Sequence, residues 1–188
     1  MIKMNIYLIG YRGVGKSSVG RSLASILGRT FIDTDSELVA QAGMTISQYV
    51  RNMGWDAFRK MERSIVQQVC RHDMQVVATG GGVVLDTQNT QAMRNTGSLV
   101  WLKASPETIR KRLLNDQRSE ETRPALSSKG SFNEIEEMLT QRNPYYEQAM
   151  DSSIETDALT IEQICTALVS QLSGSESLLS GDSTSKND

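Results

Sequence analysis

Eight residues near the start of the chain, Gly10-Tyr11-Arg12-Gly13-Val14-Gly15-Lys16-Ser17, match the pattern Gly-x4-Gly-Lys-Ser/Thr. That spacing builds a backbone cradle for a polyphosphate. Glycines let the chain curl so that successive N–H groups point inward at phosphate oxygens. A helix starting at the end of the loop adds about half a positive charge behind them. Lys16 supplies a mobile full charge for the β- and γ-phosphates, and the Ser17 hydroxyl suits Mg²⁺. The chemistry specified is the binding of a nucleoside triphosphate.

Five further groups of residues carry chemistry. In order they are Asp33-Thr34-Asp35, Phe58-Arg59-x-x-Glu62, Gly80-Gly81-Gly82, Arg123-Pro124 and Arg142-x-Pro144-x-Tyr146. Carboxylates such as Asp33 and Asp35 support a metal ion or accept a proton from a reacting hydroxyl. Planar arginine forks are the best match for a carboxylate removed from water. Each group also has a bland explanation. Asp33 can cap a helix, Arg59 can be a solvated charge paired with Glu62, and Arg142 can hold carbonyls at a helix break. The glycine triplet can be only a turn, and arginines such as Arg123 are common in polar loops.

The elements that would position these groups follow from the periodicity. Met4 to Ile9 is an apolar run that reads as a buried strand, and Val19, Leu23, Ile26 and Leu27 mark one face of the helix after the loop. Leu27-Gly28 is a helix stop. Thr30 to Ile32 reads as a second strand that delivers Asp33-Thr34-Asp35 at its carboxyl end. On a strand the two carboxylates share a face, with Thr34 opposite. Ser36 caps a helix from Glu37 to Gln41, which Gly43 ends. Ile46 to Met53 is a short helix. Trp55 to Arg71 is strongly helical, with Phe58, Met61, Ile65 and Val69 on one face. Trp55 shares a side with Arg59, four residues on.

Gln75 to Ala78 is a third strand, running into the three glycines. Thr87 to Asn95 is helical, and Ser98 to Leu102 is a fourth strand. Ser105-Pro106-Glu107 opens another helix. Residues 115–130 are polar and weakly periodic, as expected of a mobile lid. Phe132 to Met150 is helical with an interruption at Pro144. Ser153 to Thr156 is a weak fifth strand, and Ile161 to Leu172 a last amphipathic helix. Alternating strands and helices predict a three-layer α/β/α domain around a parallel sheet, with ligands at the carboxyl ends of the strands. A single domain is expected over residues 1–172, with a disordered tail over 173–188 that is rich in Ser, Gly, Asp, Asn and Lys.

Composition narrows the setting. The chain has 188 residues and a formal net charge of -2, with no block of like charge, so no nucleic-acid surface is expected. Cys70 and Cys165 are not closely spaced and read as buried free thiols of a reducing compartment. No apolar run approaches the ~20 residues of a membrane span, and the N-terminus lacks a signal-peptide layout. A cytoplasmic monomer is the expectation. The single histidine, His72, makes no metal site.

The six motifs together resemble the shikimate kinase family, and the resemblance runs to about residue 165. It implies a nucleoside-monophosphate-kinase-like fold with strand order 2-3-1-4-5. It also implies ATP-dependent phosphorylation of the 3-hydroxyl of shikimate, on the route to chorismate and the aromatic amino acids. Gly13, Val14, Gly15, Lys16, Ser17 and Ser18 would hold the ATP phosphates. Ser17 would ligate Mg²⁺, with Asp33 behind it through water. Asp35 would receive the substrate hydroxyls and Arg59 and Arg142 the carboxylate, while Gly81 and Gly82 bring the backbone to the ring. Arg123 would swing in from the lid onto the phosphates. Lys16, Asp35 and Arg123 are the expected catalytic residues. For the adenine, Arg112 and Arg118 are both candidates. The lid sequence Thr122-Arg123-Pro124-Ala125-Leu126 departs from the Arg-Pro-Leu-Leu of many members.

Two other readings compete. One is another small-metabolite kinase of this fold, acting on gluconate or a nucleotide. The other is a regulatory nucleotide-binding module, against which stands the lack of an Asn-Lys-x-Asp stretch for reading guanine.

Overall fold

The structure, a computed structural model, describes residues 4–115 and 132–179, with side chains over 4–115 and 134–172. The segment expected to form a lid, with Arg118 and Arg123, lies outside the described residues apart from Asn115.

The chain runs β1 (Asn5–Ile9), α1 (Lys16–Leu27), β2 (Thr30–Asp33), α2 (Thr34–Ala42), α3 (Ile46–Val69) and β3 (Gln75–Ala78). A 3₁₀ turn (Val83–Leu85) and α4 (Thr87–Arg94) lead to β4 (Gly97–Lys103) and α5 (Pro106–Asn115). After the undescribed segment come α6 (Phe132–Ala149), β5 (Ser152–Glu155) and α7 (Ile161–Leu179). The strands form one parallel sheet in the order β2-β3-β1-β4-β5. This is the order the family resemblance implies.

A strand in the middle of such a sheet is covered on both faces, which explains the unbroken apolar run of β1. Ile6 and Leu8 point into a core with Val19, Leu23, Val100, Ile164 and Leu168. Tyr7 and Ile9 point the other way, into a core with Phe58, Ile65, Val77, Leu99 and Tyr146. The strands are thus clamped between α1 and α7 on one side and α3, α4 and α6 on the other. Their carboxyl ends, and the loops that follow, are free to bind.

α3 is broken at Gly54, where φ is 83° and ψ 168°. Only glycine adopts that backbone without strain. The break separates the two helices expected on either side of it. A capping box starts the first: Gln48 N–H donates to Thr45 Oγ1 at 3.2 Å, and Thr45 N–H to Gln48 Oε1 at 3.0 Å.

Three expectations are corrected. α2 begins at Thr34, not after Ser36, because Asp33 is its N-cap: Asp33 Oδ1 accepts from Asp35 N–H at 3.1 Å and Ser36 N–H at 3.3 Å. Asp33 and Asp35 therefore do not share a strand face, since the strand stops between them. α6 continues through Pro144 without the expected interruption. A proline inside a helix costs about 3 kcal/mol, and the burial of Arg142, Tyr146 and Ala149 around it offsets that cost. α7 runs to Leu179, seven residues past its expected end at Leu172. A helix already nucleated on packed turns extends at little cost per residue, and Ile164, Cys165 and Leu168 supply that packing.

Candidate active site

The phosphate-loop pattern sits where β1 ends and α1 begins, as the motif requires. Gly13 and Gly15 take φ of 81° and 101°, values that let the loop curl back on itself. Lys16 is almost wholly buried, and its Nζ donates to the carbonyls of Gly10 and Tyr11, each at 2.8 Å. The loop thus holds its own lysine across its mouth. Arg112 braces it from outside. Its guanidinium donates to Val14 O at 3.2 Å, Thr156 Oγ1 at 3.0 Å and Thr156 O at 2.7 Å. An arginine committed to these oxygens ties the loop to the end of β5. Arg118, the other candidate for the adenine, is outside the described residues.

Ser17 Oγ donates to Asp33 Oδ2 at 2.6 Å. The same carboxylate caps α2 through its other oxygen, so the capping and metal-supporting readings of Asp33 are compatible. A hydroxyl and a carboxylate side by side, both oxygen donors, fit Mg²⁺, which takes few protein ligands and keeps waters and phosphates. Among the described residues no group of three or more His, Cys, Asp or Glu converges as a metal cage. Bound there, the ion would neutralise phosphate charge.

Beside the loop a cleft is lined by Arg12, Asp35, Arg59, Glu62, the three glycines and Arg142, with Ile46, Trp55 and Phe58 as its apolar wall. Arg59 Nη1 donates to Glu62 Oε2 at 2.6 Å. Glu62 is buried while the Arg59 side chain keeps 28% of its surface open. Burial pushes the Glu62 carboxyl above the usual range, opposed in part by Arg59 and aided by Asp35 and Asp86. The Arg59 guanidinium also lies 5.1 Å from the Phe58 ring centre and 5.7 Å from that of Trp55.

The glycine turn is shaped by these side chains. A Cβ on Gly82 would stand 2.6 Å from Arg59 Nη2. One on Gly80 would stand 2.9 Å from Asp35 Oδ1 and 3.0 Å from Glu62 Oε1. Gly80 N–H donates to Thr34 Oγ1 at 3.0 Å. Thr34 therefore faces the glycines together with Asp35, rather than lying on the opposite face from it, because the helical turn that starts at Thr34 brings both there. The Gly81 carbonyl accepts from Arg142 Nη1 at 3.3 Å and from the Tyr146 hydroxyl. Burial pushes the Tyr146 phenol above its usual range, so it remains a donor. Its ring stacks on Trp101 at 5.6 Å between centres.

Asp35, Arg59, Gly81, Gly82 and Arg142 thus come together in one cleft, and Lys16, Ser17 and Asp33 in the loop beside it. Arg123 falls outside the described residues. Sequence reasoning missed Arg12, which occupies one of the free positions of the loop pattern, where residue type carries no signal. A larger cleft of about 590 Å³ opens on the other side of Tyr11 and Val14. Three acids there, Glu136, Glu155 and Asp157, face one cation, Lys103. Burial raises the Asp157 pKa, but hydrogen bonds from Thr108 and Ser105 and the charge of Arg112 outweigh it, and the net shift is down. Positive charge instead concentrates in the smaller cleft, where Arg12, Arg59 and Arg142 line the wall.

Comparison with known proteins follows the same line. The shikimate kinase family model matches residues 12–173. A shikimate kinase of Symbiobacterium thermophilum is 38% identical over 169 residues, covering 90% of this chain and 96% of the relative. One of Syntrophus aciditrophicus is 41% identical over 168 residues, covering 85% and 86%. The structure of Acinetobacter baumannii shikimate kinase in complex with shikimate superposes with a TM-score of 0.85 at 28% identity, covering 92% of this chain and 94% of that one.

Proposed function

The chain belongs to the shikimate kinase family, and on that premise we propose that it transfers the γ-phosphoryl group of ATP to the 3-hydroxyl of shikimate. The product, shikimate 3-phosphate, feeds the route to chorismate and the aromatic amino acids. The observation that carries this reading is the cleft itself: Arg59 and Arg142 flank Asp35 and a bare glycine turn, next to a loop that holds Lys16. Shikimate offers one carboxylate and three ring hydroxyls, which suit two arginine forks and a carboxylate acceptor.

Gly13 to Ser18 receive the phosphates of ATP. Lys16 leaves the carbonyls of Gly10 and Tyr11 for the β- and γ-phosphates. Arg59 and Arg142 take the shikimate carboxylate, and the Gly81 and Gly82 backbone meets the ring. Asp35 accepts the hydrogen bond, and then the proton, of the attacking hydroxyl. Ser17 and Asp33 would hold Mg²⁺, Asp33 through water, and the ion would neutralise phosphate charge. Arg123, outside the described residues, would be the further cation on the phosphates. Residues 1–172 act as one kinase domain. The free thiols Cys70 and Cys165, and the absence among the described residues of a helix able to cross a membrane, support a cytoplasmic setting.

The test is ADP release by the purified protein with shikimate, gluconate and nucleoside monophosphates in parallel. Shikimate is expected to raise ADP release far above the other acceptors. Equal or faster turnover with gluconate or a nucleotide would assign the cleft to that acceptor instead.

A further inference from the structure

The cleft carries three arginines, and the acceptor carboxylate accounts for two. We propose that the third, Arg12, is a catalytic residue: its guanidinium receives the phosphoryl group as it leaves ATP and stays bound to it in the product. This inference rests on the reading of the cleft as the shikimate site.

Arg12 is the one residue of the phosphate loop that also lines the acceptor cleft with Asp35, Arg59 and Arg142. Its neighbour Tyr11 gives a carbonyl to Lys16, so Arg12 stands at the junction between the two substrates. Its backbone is fixed against the cleft floor, since a Cβ on Gly81 would lie 3.4 Å from Arg12 N. Among the described residues the side chain has no ion-pair partner. Arg59 is paired with Glu62 and Arg142 with the Gly81 carbonyl, but no carboxylate among the described residues pairs with Arg12. Its Nε is buried with no hydrogen-bond partner. Its guanidinium carbon lies 5.8 Å from the Tyr11 ring centre, a contact that orients the charge without neutralising it.

A guanidinium with no carboxylate partner among the described residues, beside the phosphate loop, matches an anion that arrives during the reaction. Shikimate brings one negative charge, on its carboxylate. The product carries two more on the new phosphate, at the loop side of the ring, where Arg12 stands. In the step, the bond from the γ-phosphorus to the β,γ-bridging oxygen breaks and its electron pair leaves on ADP. The shikimate hydroxyl oxygen bonds to phosphorus, and the hydroxyl proton passes to Asp35. Arg12 meets the equatorial oxygens of the phosphoryl group throughout, as positive groups do in phosphoryl transfer.

The test compares Arg12→Met and Arg12→Lys with the wild type. The readouts are kcat and the Kd for shikimate, for ATP and for shikimate 3-phosphate, with thermal unfolding as a check of fold. For Arg12→Met, kcat is expected to fall about 10²-fold or more. The Kd for shikimate 3-phosphate should weaken at least about tenfold more than the Kd for shikimate. Arg12→Lys, which keeps the charge but loses the fork, should recover part of both. If Arg12→Met does not fold, the same ratio of affinities is read from Arg12→Lys. Equal weakening for shikimate and its phosphate would make Arg12 a carboxylate holder, and an unchanged kcat would remove it from the chemistry; either result overturns the proposal. A wild type that leaves shikimate unphosphorylated overturns the parent reading instead.

Discussion

Arg59 and Glu62 are joined at 2.6 Å across one turn of helix, with the acid buried and the base facing the cleft. The pair is asymmetric. Burial raises the Glu62 pKa despite the neighbouring cation, so Glu62 orients Arg59 at some cost to the fold. A carboxyl whose folded pKa is raised binds its proton more tightly in the folded state. Its contribution to stability is fullest at low pH and declines as pH rises from the ordinary value of about 4.3 to the raised one. Urea unfolding of the wild type and Glu62→Gln between pH 4 and 8 should show the wild type losing stability relative to the variant as pH rises. A wild type that gains on the variant over that window would mean that Arg59 dominates. Shikimate affinity should fall in the variant, because Arg59 loses its anchor.

Arg59→Ala and Arg142→Ala should each weaken shikimate binding by roughly 2–4 kcal/mol, the cost of leaving a desolvated carboxylate half-paired. ATP affinity should hardly change. The two should differ in stability: Arg142 is buried and bonded to the Gly81 carbonyl, so its loss should lower Tm more than that of Arg59. Calorimetric titration with each ligand checks the first expectation, and thermal scans the second. Equal losses for ATP and shikimate would remove both arginines from the carboxylate.

Gly82→Ala places a methyl group 2.6 Å from the Arg59 guanidinium. The guanidinium is the far end of a flexible side chain, so it moves and the fold survives. The expected signature is a raised KM for shikimate with little change in Tm or in KM for ATP. A large drop in Tm with binding intact would show that the turn is rigid for structural reasons alone.

Lys16→Ala removes the cation held by Gly10 and Tyr11. Turnover should fall by orders of magnitude while the protein stays folded, since the charge is held by two loop carbonyls. Near-normal kinase activity in this variant would sink the role given to Lys16.

The strands themselves rest on a strong local signal, while the sheet order and the membership of the cleft were legible only through the family resemblance that the six motifs carry. The Val, Ile and Leu of β1 and β3 can only be buried strands, and arginines at 59 and 142 with a glycine triplet form an unusual set. Asp33-Thr34-Asp35 was harder. A strand and a capped helix both fit three such residues, and the choice is made by Asp33 bonding to the Asp35 and Ser36 amides, a contact invisible to periodicity. Pro144 carried a true helix-breaking signal that burial on either side overrides. Arg12 carried none, since only the folded loop brings it to the acceptor cleft.

On the proposed mechanism, Asp35 activates a shikimate hydroxyl beside the phosphate loop. The most direct measurement is ³¹P NMR of product formation by the wild type and Asp35→Asn at matched Mg-ATP binding. The wild type should give one new phosphomonoester on the 3-hydroxyl, in step with ADP. Asp35→Asn should form it about 10²–10⁴ times more slowly, the usual worth of a positioned base. A phosphate on another hydroxyl, or an Asp35→Asn rate equal to that of the wild type, would contradict the claim.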